Sequence, residues 1–225
     1  QPVGRGRPAT DREEVFTRAL RNRGFKYAVT PLPGNGYRLT VEDEPLTDIS
    51  FLKGVPIREL IISGTSVTVL SPLEELALTR LDIRNTPIKD LSPLRALVLN
   101  TNLRELSSWR IPATDFSPIA ACTNLELLDA AETALANLEI VRGRKLRVAL
   151  LSGTKITDIS VLAGMPLERV TLRGTAITNL SPLLQCPTLT ELVLPSAPSD
   201  LNSLRALPRL ARLSYQERSG GFSGL

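Results

Sequence analysis

The sequence has no histidine, one tryptophan, one methionine and two cysteines in 225 residues, and aromatics make up only 4% of it. Without histidine there is no imidazole base, no Ser-His-Asp or Cys-His arrangement, and none of the commonest metal ligand. Scarce aromatics leave Leu, Ile, Val and Ala to fill the core, because the bulk of Phe, Tyr and Trp is missing. That suits thin layers stacked at regular spacing. No run of about 18 apolar residues occurs, so no transmembrane helix is expected. No apolar signal-peptide core lies near the start. The chain opens with Gln1, not Met, and reads as a piece of a longer protein or a processed product. The compartment stays open between cytoplasm and the extracytoplasmic part of a larger protein.

Neither sign of charge is in large excess: 27 basic stand against 23 acidic residues, net +4. The basic excess gathers at the start, where Arg5, Arg7, Arg12, Arg18, Arg21, Arg23 and Lys26 meet only Asp11, Glu13 and Glu14. A nucleic-acid platform needs a basic stripe along a face, and this chain has none.

What is present in abundance is a repeat. Leu60-Ile61-Ile62-Ser63-Gly64-Thr65-Ser66-Val67 returns as Leu81-Asp82-Ile83-Arg84-Asn85-Thr86-Pro87-Ile88, as Leu151-Ser152-Gly153-Thr154-Lys155-Ile156 and as Leu172-Arg173-Gly174-Thr175-Ala176-Ile177. The column Thr65, Thr86, Ile111, Thr133, Thr154, Thr175, Ala197 advances by 21, 25, 22, 21, 21 and 22 residues. A unit L-x-x-L-x-L-x-x-T-x-I-x-x-L-S-P-L-x-x-L with this period is a leucine-rich repeat. The L-x-L stretch alternates as a short strand must, with Leu60 and Ile62 inward and Ile61 and Ser63 outward. The Thr turns the chain, and its hydroxyl is expected to bond backbone in its own or a neighbouring coil. Ser-Pro follows at Ser71-Pro72, Ser92-Pro93, Ser117-Pro118 and Ser181-Pro182. Ser suits a helix N-cap and Pro the first helical position. So little chain remains before the next strand that each convex segment must be a single 3₁₀ or α turn. The predicted fold is an α/β solenoid, a right-handed coil with a parallel sheet on its concave face and short turns on its convex face.

The phrases Thr157-Asp158-Ile159-Ser160-Val161-Leu162-Ala163-Gly164-Met165-Pro166-Leu167 and Ile177-Thr178-Asn179-Leu180-Ser181-Pro182-Leu183 resemble bacterial leucine-rich repeats of the T-x-I-x-D-L-S-P-L type. Arrays of this type are linked to planctomycete-type serine/threonine protein kinases; more distantly, the repeats resemble those of internalin-like surface proteins. The lead-in Ala19-Leu20-Arg21-Asn22-Arg23-Gly24-Phe25 with Leu46-Thr47-Asp48-Ile49-Ser50 resembles the start of the kinase-linked arrays. The stretch Leu201-Asn202-Ser203-Leu204-Arg205-Ala206-Leu207-Pro208-Arg209-Leu210 resembles their close. The resemblance implies a bacterial binding or signalling module. No kinase motif lies within the chain, so a kinase implied in this way would lie outside it.

A solenoid needs capped ends. Thr10 or Asp11 can N-cap a helix running to about Arg23, with Gly24 as its stop. Strands are predicted at 25–29 and 37–41, around Pro31-Leu32-Pro33-Gly34-Asn35-Gly36. The expected organisation is a mobile tail at 1–8, a cap at 9–45, a solenoid of about seven to eight coils over 37–215, and a second mobile tail at 216–225. The basic helix could alternatively serve a nucleic acid or a membrane surface.

Four sets of residues are candidates for chemistry. Cys122 and Cys186 share one repeat slot three coils apart, about 14 Å at a strand spacing of about 4.8 Å. A disulfide needs Cα atoms within roughly 7 Å, so two buried free thiols are expected. Asp48, Asp90, Asp115 and Asp158, with Asn179 in the same slot, could form a cation ladder or could cap the bends that follow; no close cluster supplies the oxygens that Ca²⁺ wants. Trp109 lies in the irregular 25-residue unit. It either faces the concave side, with Arg84 beside it for a cation–π pair, or folds inward over Ser107 and Ser108.

The concave face carries three outward columns, and from them a binding surface is predicted at Arg80, Asp82, Arg84, Glu105, Trp109, Leu127, Asp129, Val148, Leu150, Arg169 and Arg173. The expected function is non-catalytic: docking of a protein or peptide partner, with no cofactor, no metal and no nucleic acid. The alternatives are a sensor or scaffold region of a larger serine/threonine kinase, and a structural spacer.

Overall fold

The computed structural model describes residues 11–34, 36–96, 102–199 and 201–216. The expected tails fall outside these residues, except for residue 216. A ten-stranded sheet runs in chain order: β1 Ala28–Leu32, β2 Gly36–Thr40, β3 Ile57–Ile61, β4 Arg80–Asp82, β5 Glu105–Ser107, β6 Leu127–Asp129, β7 Val148–Leu150, β8 Arg169–Thr171, β9 Glu191–Val193 and β10 Arg212–Ser214. β1 and β2 pair antiparallel, and from β2 onward every pairing is parallel. The register runs Glu59, Arg80, Glu105, Leu127, Val148, Arg169, Glu191, which is the first outward column read from the repeat spacing, and it continues to Arg212.

The helix α1 spans Asp11–Asn22 and stops where Gly24 turns left-handed at φ 72°. Its Leu20 is fully buried. Arg23 ties the helix end to the first coil, reaching Asp48 at 3.2 Å and lying 5.6 Å from the Phe51 ring. The first strand lies three residues later than the sequence suggests, at 28–32 instead of 25–29. Pro31 had been read as loop, yet it sits in β1 opposite Tyr37. β1 is the edge of the sheet, where a residue without an N–H leaves no ladder bond unmade.

The core is one column of side chains per repeat slot. Leu60, Leu81, Leu106, Leu128, Ala149, Val170 and Leu192 all have 0% exposure. The next inward slot holds Ile62, Ile83, Ser108, Ala130, Leu151, Leu172 and Leu194, each buried. Ser108 is the polar exception. Its hydroxyl donates to the Asp129 carbonyl at 2.9 Å, which satisfies it inside the core. Cys122 and Cys186 are buried and unbridged, and burial pushes the Cys122 thiol up to about 11.

After five of the strands a Thr hydroxyl turns back on its own coil. Thr65, Thr86, Thr133, Thr154 and Thr175 each donate to the carbonyl three residues earlier at 2.6–2.7 Å. The residue just before the Thr adopts left-handed backbone. At Gly64 this is φ 68°, and an added Cβ would meet Asp43 Oδ1 at 2.1 Å.

The convex segments are single turns, as expected. They comprise 3₁₀ turns such as Ser50–Leu52, Ser71–Leu73, Ser160–Leu162 and Ser181–Gln185, with one α turn, α2, at Pro93–Ala96. The capping residue is not the Ser. It is the Asx two positions earlier. Oδ1 of Asp48, Asp90, Asp115, Asp158 and Asn179 accepts from the backbone N–H of Ser50, Ser92, Ser117, Ser160 and Ser181 at 2.8–2.9 Å. The Ser50, Ser92 and Ser160 hydroxyls donate to the other carboxylate oxygen of the same Asp. A carboxylate accepting two such bonds satisfies the turn more completely than a hydroxyl can. These bonds hold the pKa of Asp90 and Asp158 below the ordinary 3.8.

Two substitutions test this anatomy. Thr86→Val removes a buried hydroxyl and strands the Ile83 carbonyl, so unfolding free energy should fall by about 1–2 kcal/mol in urea titration. The coil at Ser71–Leu73 lacks the cap. Val69 occupies the Asx slot, 55% exposed. The following Leu70 (φ −102°, ψ −3°) nearly matches Leu180 (φ −98°, ψ 0°), where Asn179 caps. Val69→Asp should therefore raise the thermal midpoint at neutral pH. An Asp held below its ordinary pKa stabilises above that value and loses the effect as pH falls through its folded one. The gain should therefore fade as pH falls below the ordinary carboxylate value of 3.8, beneath which the neighbouring Asp90 is held.

Candidate functional site: the concave sheet

The strands are only three residues long through most of the array, so each coil presents its outward side chains in a narrow band. Adjacent parallel strands set equivalent residues side by side, and opposite charges there pair across the sheet. The first column does this along most of its length. Arg38 meets Glu59 at 2.6 Å, Arg80 meets Glu105 at 3.4 Å, and Glu191 lies between Arg169 at 3.5 Å and Arg212 at 3.8 Å. A second row at the leading edge adds Arg104–Glu126 at 2.5 Å and Arg147–Glu168 at 2.8 Å. Charges that the sequence suggested for a partner are thus engaged between coils.

Leu127 and Val148 interrupt the ladder. They face the concave side and stand outside the continuous core, yet each is only 2% exposed. Leu150, one column over, is half-buried. The apolar centre expected from the sequence is present but recessed between taller charged neighbours.

Asp82 and Arg84 form the tightest polar unit on this face. The Asp82 carboxylate is 1% exposed and accepts from Arg84 Nε at 2.8 and 3.0 Å and from Nη2 at 2.6 Å. Those hydrogen bonds hold the guanidinium pKa above its ordinary value, with Asp129 and Glu42 adding to the effect. Arg84 is therefore not the cation beside Trp109. That place belongs to Arg110, whose guanidinium lies 4.4 Å from the indole. Trp109 itself is half-buried and outside the core, because Ser108 takes the inward position.

Asp129 Oδ1 accepts from the Ala131 N–H at 3.1 Å, and Arg173 is exposed. Beside Trp109, the equivalent outward positions of the next two coils hold small, buried side chains, Ala131 and Ser152. Among the described residues no group of three His, Cys, Asp or Glu side chains gathers where a metal ion could be held. No described helix is long and apolar enough to cross a membrane.

Arg110 was missed from sequence, although its signal was legible. It occupies the slot held by Gly64, Asn85, Gly153 and Gly174, and it takes their left-handed backbone at φ 58°. Such backbone is unfavourable for a residue with a Cβ by roughly 1–2 kcal/mol. It directs the Arg110 side chain from the lip of the sheet back over its neighbour.

Removing Arg84 tests how far this face is structural. Arg84→Ala leaves Asp82 buried without its cation, so stability should drop by about 3 kcal/mol. The double variant with Asp82→Ala should recover part of that loss. Additive losses in a denaturation cycle would contradict the pairing.

No protein-family model matches the chain, and no curated protein matches it either. Solved structures do. An internalin (inlF) from Listeria monocytogenes is 27% identical, with a TM-score of 0.60, over 78% of this chain and 59% of that one. Internalin C2 from the same organism is 24% identical, with a TM-score of 0.68, over 78% of this chain and 79% of that one. This chain therefore spans a little over half of the first. The fold is a leucine-rich-repeat solenoid, and these structural neighbours are bacterial leucine-rich-repeat proteins.

Proposed function

We propose that this chain is a non-catalytic protein-interaction module that docks a protein or peptide on its concave sheet. The observation that carries the reading is Trp109. It is the chain's single tryptophan, it faces away from the core, and Arg110 stacks on it at 4.4 Å. Tryptophan and arginine are the side chains most often found at the energetic centre of protein interfaces. The recessed apolar pair Leu127 and Val148, with Leu150 beside them, extends the same surface across the next two coils. A continuous curved sheet is the surface that solenoids offer to partners, and the likeness to internalins supports the reading at the level of fold.

The proposed contact residues are Trp109, Leu150 and Arg173, with Arg110 added; Leu127 and Val148, each 2% exposed, form the apolar floor beside them. Arg80, Asp82, Arg84, Glu105, Asp129 and Arg169 shape the face and hold the coils in register. The flanks that resemble kinase-linked arrays motivate a narrower version, in which the module is the sensor or scaffold part of a larger serine/threonine kinase. The coding sequence on either side decides that version directly. As a mere spacer, the chain would tolerate Trp109→Ala without functional loss.

Partner capture from the source cells should distinguish these readings. Trp109→Ala should reduce recovery about tenfold or more, the loss expected of a hot-spot aromatic. Glu74→Ala on the convex side should leave it unchanged. Equal recovery with Trp109→Ala would overturn the concave-face reading.

A further inference from the structure

The last described coil covers its predecessor and is itself uncovered among the described residues. Leu201, Leu213 and Tyr215 stand 21 residues after Leu180, Leu192 and Leu194, each of which is buried. They are 38%, 45% and 53% exposed. Among the described residues β10 pairs only with β9. The Arg212 N–H donates to the Thr190 carbonyl, and the Ser214 carbonyl accepts from the Leu194 N–H. Peptide groups alternate between the two sides of a parallel strand, so the Leu213 N–H and C=O face outward from the edge. An open groove of about 630 Å³ follows this edge, lined by Ala211, Arg212, Leu213 and Ser214 with Thr190 and Glu191 behind them. Such an edge is a template for another strand.

The charge pattern specifies which strand. The first outward column alternates in sign wherever it is charged: Glu59 beside Arg80, Arg80 beside Glu105, Arg169 beside Glu191, and Glu191 beside Arg212. Glu191 has a cation on both sides, at 3.5 and 3.8 Å. Arg212 meets it from one side only, with its side chain 40% exposed. Arg205 and Arg209 are exposed in the same coil, and residues 201–216 include no acid. The column therefore calls for a carboxylate beyond Arg212.

We propose that the β10 edge adds a strand from a protein partner in parallel register, with Asp or Glu beside Arg212 and apolar side chains beside Leu213 and Tyr215. The motif is acid, apolar, any residue, apolar. Glu59-Leu60-Ile61-Ile62 and Glu191-Leu192-Val193-Leu194 show the same pattern within the array. Alternation along the strand turns the carboxylate to the concave ladder and both apolar residues onto the uncovered end of the core. Backbone bonds to Leu213 supply affinity, and the side-chain slots supply selectivity. The site lies five strands beyond the one that leads into Trp109 and does not depend on that surface. Segment 217–225 does not carry the motif, because Glu217 is followed by Arg218 and Phe222 is preceded by Gly221. A second copy would bring its own Arg209 and Arg212 against these arginines.

The test titrates the intact chain with fluorescein-labelled octapeptides that hold Glu-Leu-Thr-Leu between Ser flanks, read by anisotropy. The Glu peptide should bind. Replacing its Glu by Lys should weaken it about tenfold or more, the size of one charge-assisted hydrogen bond. Arg212→Glu should reverse that preference, and Leu213→Ser should weaken both peptides. N-methylation at the peptide Thr, whose N–H meets the Leu213 carbonyl in this register, should abolish binding. N-methylation at the preceding Leu, whose N–H points away, should not. Trp109→Ala should leave binding unchanged. Arg212 and Leu213 are both partly exposed in the last coil, so circular dichroism should show both variants folded. Equal binding of Glu and Lys peptides, equal effects of the two N-methylations, loss of binding with Trp109→Ala, or no binding at all overturns the proposal. Binding that appears only after Phe222→Ser and Leu225→Ser assigns the edge to segment 217–225, and a dimer lost on Leu213→Ser assigns it to a second copy; either overturns the proposal.

Discussion

Each coil of this molecule depends on its neighbour, because a three-residue strand and a single turn cannot enclose a leucine. Leu81 reaches 0% exposure only between Leu60 on one side and Leu106 on the other, and the backbone bonds that align them run between coils. Burial of this kind contributes about 1.5–3 kcal/mol per aliphatic side chain, and stability therefore accumulates by stacking. The last described strand shows the converse. Leu213 occupies the same slot in β10 and is 45% exposed, since nothing described stacks beyond it.

Stacking requires every coil to reproduce the same turns, and three local devices do so. The Thr hydroxyl closes the bend after the strand. A left-handed residue precedes the Thr, Gly at 64, 153 and 174 and Asn85 or Glu132 in the other two coils, and Arg110 takes the same place before Ile111. An Asx carboxylate or amide then holds the convex turn. The 25-residue unit departs from the pattern, replacing Thr by Ile111 and placing Ser108 inside. The same unit turns Trp109 and Arg110 outward, so the irregular coil is also the one that carries the proposed contact group.

The concave face is governed by a second balance. Parallel strands about 4.8 Å apart bring unlike charges into register, and the Arg–Glu ladder uses that proximity to tie coils together. A charge engaged in this way is screened from a partner by its own neighbour. This is why the list of outward residues drawn from the repeat divides into two groups. Arg80, Glu105, Arg169, Asp82 and Arg84 are bonded within the sheet, whereas Trp109 is covered only by Arg110 and Arg173 is exposed.

The period of the Thr column and the L-x-L alternation are enough to determine the solenoid, the strand register, the burial of both thiols and the turns of the convex side, because each follows from spacing along one chain. Spacing also named the outward columns residue by residue. It did not reveal which outward charges are spent on each other, that Arg110 and not Arg84 covers the indole, or that Asx caps turns assigned to Ser. It also placed β1 three residues early, since an edge strand accepts a proline that an interior strand would refuse. Those outcomes depend on distances between coils, and only the tertiary structure brings residues some 20 positions apart to within a hydrogen bond of one another.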